Sequence, residues 1–197
     1  MGGDRKFPRS AALAVTREIV ATLQPRTARL IVAGSLRRKK AAVGDIEILY
    51  IPRVITAPDP ADFFGAKTRQ DDSAAALYEL LTAGVIEKRL NVRGFPAWGE
   101  STKLGRHRAS GVPIDFFTAT PESWWNTLVC KTGGAQSNTD IACAARDAGW
   151  KWCPLSPGFV RGGGWEWDNA RERRAMQSEQ EVFAFVGLQY LEPEHRQ

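Results

Sequence analysis

Two acids, Asp45 and Glu47, stand one residue apart in the apolar run DIEILYI, residues 45–51; a third, Asp115, stands in VPIDFFTA, residues 112–119. In an extended chain alternate side chains leave on one face. Asp45 and Glu47 therefore emerge together with Leu49, while Ile46, Ile48 and Tyr50 face the other way. Adjacent carboxylates repel each other. A divalent cation removes that cost and uses their oxygens as ligands. If the strand of Asp115 lies beside that of Asp45 and Glu47, three carboxylates converge. They could then hold two Mg²⁺ or Mn²⁺ ions about 4 Å apart, the arrangement that promotes in-line displacement at phosphorus.

The residues just upstream suit the other half of that chemistry. An apolar stretch, ARLIVAG, ends at Gly34-Ser35 and is followed by Arg37, Arg38, Lys39 and Lys40. A glycine lets backbone N–H groups approach a phosphate, and Ser35 adds a hydroxyl donor. Arg37 and Arg38 can grip phosphate oxygens bidentately. Gly44 leaves the approach to Asp45 open. The order strand, Gly-Ser, basic loop, Gly, acid-x-acid thus points to a nucleoside triphosphate and its metals. A solvated strand edge beside a charged turn is the plainer alternative. A second basic cluster, Lys103, Arg106, His107 and Arg108, precedes Asp115; it is either a track for a DNA backbone or a solvated hairpin tip.

The elements that must position these residues follow from periodicity. Residues 10–24 predict a helix capped by Ser10 and stopped by Pro25. Residues 28–34 predict a strand, 45–51 a second, and 52–71 an irregular insertion holding three prolines. Residues 72–83 predict a helix stopped by Gly84. Short strands are expected near 85–92, 95–104 and 112–118. Thr120-Pro121 predicts a helix start with Thr120 as cap, and a domain boundary there gives domains 1–119 and 120–197. Helices follow at 121–131 and 138–148. A tryptophan-rich hairpin is expected over 150–168, and a short helix over 178–186 with Ser178 and Glu181 at capping-box spacing.

Bulk properties restrict the function classes. The 197 residues are 43% hydrophobic, enough for a core, and carry a formal charge of +5, which suits a polyanionic partner. Three cysteines without a CxxC pair, and two histidines, argue against zinc and for free thiols in a reducing compartment. No apolar run reaches the roughly 20 residues of a membrane helix, and the first ten residues lack a signal-peptide core. A cytoplasmic monomer is expected.

The motifs together resemble a family. GSLRR followed by VGDIEIL resembles the GS-x-RR…GD-x-D motif of family X DNA polymerases, the DNA polymerase beta relatives among nucleotidyltransferases. TGGAQSN at 132–138 is similar to that family's thumb motif, AARDAGW at 144–150 to the helix after it, and residues 178–196 to its closing segment. The resemblance implies an α+β fold, with a nucleotidyltransferase palm (a small mixed sheet with helices) followed by a small α/β thumb. It implies DNA polymerase activity on primer-template or gapped DNA with dNTP substrates and two divalent cations. Asp45, Glu47 and Asp115 would bind metal, and Asp115 would help take the proton of the primer 3′-hydroxyl. Gly34, Ser35, Arg38 and Gly44 would hold phosphates, with Arg37 beside them. Gly133 and Gly134 would pass close to the sugar, and Asn138 would reach the minor-groove edge. Glu47 replaces the family's Asp, Cys130-Lys131 its aromatic pair, Ala135 an acid and Ala142 an Arg. These departures leave open dNTP against rNTP, template dependence, and a catalytically silent nucleic-acid-binding module. The 27 residues before the first match are too few for the family's lyase and DNA-gripping domains, so neither lyase activity nor high processivity is expected.

Overall fold

Apolar alternation is what organises the chain. The structure, a computed structural model, describes residues 5–58, 66–156, 158–162 and 172–197. In chain order the elements are β1 (Phe7–Pro8), α1 (Arg9–Leu23), β2 (Thr27–Val32), α2 (Gly34–Arg37), β3 (Ala42–Val43), β4 (Ile46–Pro52), β5 (Val54–Pro58), β6 (Lys67–Asp71), α3 (Asp72–Thr82), β7 (Ile86–Lys88), β8 (Thr102–His107), β9 (Pro113–Thr118), α4 (Trp124–Thr132), α5 (Ala135–Asp147), β10 (Lys151–Cys153), β11 (Gly158–Arg161), β12 (Glu172–Arg174) and α6 (Glu179–Phe185).

Five strands form a mixed sheet in the order β2-β4-β9-β8-β7. Only β4 and β9 run parallel; the other neighbours are antiparallel. A parallel pair needs a long crossover, and the β5–β6 hairpin and α3 lie along it. Ile46, Ile48, Tyr50, Ile114 and Phe116 turn to one face and bury against α1 and α3 through Ile19, Leu23, Leu77 and Leu80. The opposite face carries Leu49 and Phe117, which pack with Ala33, Ala119, Trp124 and Leu128. A further core joins Val129, Ile141, Phe159, Val182 and Phe183 across α4, α5, β11 and α6. The two faces of β4 are those its alternation predicts.

Several boundaries differ from expectation. Ser10 caps nothing, because α1 opens directly after Pro8, whose own side chain makes no capping bond. Gly34 does not end a strand; at φ +62° it opens the single helical turn α2. Residues 52–71 are not wholly irregular: β5 and β6 pair in register from Val54↔Asp71 to Pro58↔Lys67, an isolated ribbon where a proline is tolerated. The 95–104 strand shrinks to β8, since Gly94 at φ +80° and an Asn91 side chain accepting from the Arg93 and Phe95 amides make a turn there. Thr120 does not cap α4. Its hydroxyl lies 3.3 Å from that of Ser123, and the helix starts at Trp124. Ser178 does cap α6, accepting from the Glu181 amide at 3.0 Å. Strands β10 and β11 pair antiparallel within the expected hairpin region, and β12, which lies beyond it, joins them as a third strand; Trp165, Trp167 and Arg171 lie outside the described residues. Cys130, Cys143 and Cys153 are free thiols.

Candidate active site

Strand register assembles the acids. Parallel pairing sets Glu47 directly opposite Asp115, flanked by Ile46↔Ile114 and Ile48↔Phe116. Both carboxylates therefore leave the sheet on the Leu49–Phe117 face, away from α1 and α3. Asp45 sits just before β4, close enough for its charge to act on both. Burial and the Asp45 carboxylate push Glu47 up to about 7, with Asp115 adding to the rise and Lys131 and Arg38 opposing it. Burial also raises Asp115, which the Arg89 guanidinium counters. Such crowding of half-buried carboxylates is the environment in which a cation is bound.

Arg89 was missed in the sequence. It follows β7, and its Nη2 donates to Asp115 Oδ1. Only the register could have revealed it, because Leu104 lies between them: Leu104 pairs with Asp115, and the Arg89 amide donates to the Leu104 carbonyl at 2.9 Å. No group of three His, Cys, Asp or Glu side chains among the described residues is gathered tightly enough for a metal ion. The convergence expected of Asp45, Glu47 and Asp115 is thus one of neighbourhood rather than of ligand atoms in contact. The donor chemistry itself, all carboxylate oxygen, suits Mg²⁺ or Mn²⁺.

Gly34 is required where it stands. A Cβ there would lie 1.8 Å from Glu47 Oε2, so the Glu47 carboxylate rests against the Gly34 backbone. Ser35 Oγ and Arg38 Nε are buried with no protein partner, two polar groups in the first turn above the acids. Around Gly44 there is room: the nearest atom that a Cβ would meet is Lys6 Nζ, at 3.8 Å.

The two arginines of that turn also tie the sheet to the C-terminal helices. Arg37 donates to Thr132 Oγ1 at 2.8 Å and pairs with Glu179 through both carboxylate oxygens. Fully buried Arg196 donates to the same Glu179 at 2.6 Å and to the Leu191 carbonyl at 2.9 Å. Arg37, expected beside phosphates, is therefore held in an internal ion pair. Arg38 donates to the carbonyls of Thr132 and Gly133 at 2.5 and 3.0 Å.

Gly133 and Gly134 form the short link between α4 and α5. Side chains there would collide with Asn138 Oδ1 at 2.7 Å and with the Gln197 backbone at 1.7 Å. Asn138 braces the link, its amide nitrogen donating to the Cys130 carbonyl at 2.9 Å, while its Oδ1 is buried without a partner. Lys131 reaches back over the Phe117 ring, 3.6 Å from the centroid, and so lies on the carboxylate face.

The second basic cluster divides. Lys103 pairs in register with Phe116 and so points to the α1–α3 face; it is buried and donates to the Glu100 carbonyl at 3.1 Å, with burial lowering its pKa. Its expected place on a DNA-facing tip is corrected by that register. His107 is likewise buried, 2.8 Å from Ser110 Oγ. Arg106 and Arg108 are exposed, each near Glu87 at 3.8 and 3.7 Å. No helix among the described residues is long and apolar enough to cross a membrane.

Comparison with known proteins adds two findings. Residues 127–197 match the DNA polymerase beta thumb family. Leishmania infantum polymerase beta, solved as a ternary P/T complex, shares the fold with a TM-score of 0.71 at 19% identity, over 100% of this chain and 78% of that one. No curated protein sequence matches. The fold is thus the α+β arrangement of polymerase beta, with palm and thumb.

Proposed function

We propose that this family X polymerase-like chain adds nucleotides to a DNA 3′-end, with residues 1–119 as palm and 120–197 as thumb. One observation carries the reading: a buried sheet face sets Glu47 opposite Asp115 beneath a turn whose Ser35 hydroxyl and Arg38 Nε lack protein partners. Those groups would meet the oxygens of a dNTP triphosphate, a charge-assisted contact worth more than a neutral one. Asp45, Glu47 and Asp115 would hold divalent cations, Mg²⁺ or Mn²⁺, which when bound would neutralise phosphate charge and acidify the attacking hydroxyl.

Asp115 would orient the primer 3′-hydroxyl and accept its hydrogen bond. Gly133 and Gly134 would let the sugar approach the α4–α5 link, where Asn138 Oδ1 offers an acceptor. Catalysis would be mainly positioning and charge neutralisation. Exposed Arg106 and Arg108 would follow the DNA backbone, with gap filling or repair as the setting.

A second reading, relaxed choice of sugar or template, draws on Lys131: an ammonium stands over Phe117 on the carboxylate face where the family resemblance leads one to expect a ring. Primer extension with dNTPs and with rNTPs, on gapped and on single-stranded primers, tests both. Extension confined to gapped DNA and dNTPs supports the first, and equal use of all four combinations supports the second. No extension with either metal rejects both.

A further inference from the structure

We propose that Arg89 is a positioning residue of this site: it holds one oxygen of Asp115 so that the other faces the reacting groups, and its charge tempers the cation affinity of the carboxylate cluster. The inference rests on the nucleotidyl-transfer reading above. Its geometric basis is a single row across the sheet. Glu47 pairs with Asp115, Asp115 pairs with Leu104, and Arg89 hydrogen-bonds the backbone of Leu104. Residues in such a row share one face. Arg89 must therefore cross over Leu104 to meet Asp115, two strand spacings or about 10 Å away, which takes a long side chain. Its Nη2 takes Asp115 Oδ1, and the pair is largely enclosed, with side-chain exposures of 22% and 15%.

Three consequences follow from the arrangement. A carboxylate pinned through Oδ1 loses its rotational freedom and presents Oδ2 in a fixed direction. The guanidinium also supplies one positive charge to a cluster of three acids, making the cluster less attractive to a cation than the acids alone would be. Arg89 Nε is buried without a protein partner, so the side chain retains an unused donor.

The test compares wild type with Arg89→Gln, Arg89→Lys and, as control, Arg93→Gln on the exposed turn that follows. Two quantities are read: Mn²⁺ binding by electron paramagnetic resonance without nucleotide or DNA, and steady-state single-nucleotide incorporation. Arg89→Gln is expected to bind Mn²⁺ more tightly by about fivefold, the size of one partly screened charge. It is expected to lose about tenfold or more in kcat with little change in KM for dNTP, since misplacement acts on the chemical step. Arg89→Lys should recover a large share of both, and Arg93→Gln should match wild type. A purely structural role would lower the melting temperature without tightening Mn²⁺ binding. Unchanged Mn²⁺ affinity, unchanged kcat, or no recovery with lysine would overturn the inference while wild-type incorporation leaves the function intact. If wild type incorporates nothing, the functional reading fails and Arg89 is judged by the Mn²⁺ arm alone; failure of free wild type to bind Mn²⁺ overturns the inference, whereas the functional reading is decided by incorporation.

Discussion

Replacing Glu179 by Gln isolates the tie between the sheet and the C-terminal helices. The substitution keeps the side-chain shape and removes one negative charge. It leaves two guanidinium groups without a counter-ion: Arg37, 20% exposed and able to reach water, and Arg196, fully buried. Removing one partner of a buried pair costs about 3–5 kcal/mol, because the remaining charge stays desolvated. For a chain of this size each kcal/mol lowers the melting temperature by about 2–4 °C, so a fall of about 6–20 °C is expected. Circular dichroism and tryptophan fluorescence would follow it, and if they resolve two transitions, the one reporting the C-terminal helices should move. The Arg196 guanidinium lies over the rings of Phe183 and Tyr190, 5.2 and 5.5 Å from their centroids, so the double variant Glu179→Gln/Arg196→Met removes the stranded charge and leaves a side chain that suits those rings. It should recover more than half of the loss. A fall under about 2 °C, or a double variant no more stable than the single one, would refute the reasoning.

Three further outcomes are expected. Gly34→Ala places a Cβ against Glu47 Oε2 at a positive φ, so it should displace that carboxylate and reduce Mn²⁺ affinity about tenfold or more, while costing about 1–3 kcal/mol in stability; calorimetry checks both. Neutralising exposed Arg106 and Arg108 together should flatten the dependence of log K for DNA on log salt by about 2, whereas Lys103→Met, buried on the other face, should leave it unchanged; fluorescence anisotropy across a salt series reads this directly. Glu47 has a pKa of about 7, above its ordinary value of 4.5. The native state thus retains a proton that the unfolded chain releases across that window, and the group's contribution to stability falls as pH rises through it. In metal-free buffer, Glu47→Gln should therefore gain on wild type between pH 4.5 and 7, a difference that thermal melts at each pH would detect and that saturating Mg²⁺ should shrink.

Much of the fold was legible because its signals are local. The alternation of β4 predicted which side chains share each of its faces, Gly84 ended α3, and Ser178 with Glu181 marked the start of α6. Boundaries failed where two local signals competed, as at Thr120 and Ser123, whose hydroxyls bond each other instead of opening a helix. The neighbourhood of the candidate site was legible in residue types and spacings: Asp45, Glu47 and Asp115 lie close together, with Gly34 against Glu47. What was not legible depends on register and on long contacts. Lys103 turned inward because it pairs with Phe116. Arg37 meets Glu179 across 142 positions. Arg89 meets Asp115 only because Leu104 lies between them in the row. No spacing rule encodes any of these, since strand register is set by the packing of both faces at once.

The most direct test of the central claim is single-nucleotide incorporation on primed, gapped DNA with Mg²⁺ or Mn²⁺, run for wild type beside Asp115→Asn and Asp45→Asn. Wild type should yield a primer one nucleotide longer, and either variant none, while circular dichroism remains that of the native fold. Absence of product from wild type with both metals, or product that survives both substitutions, would contradict the claim.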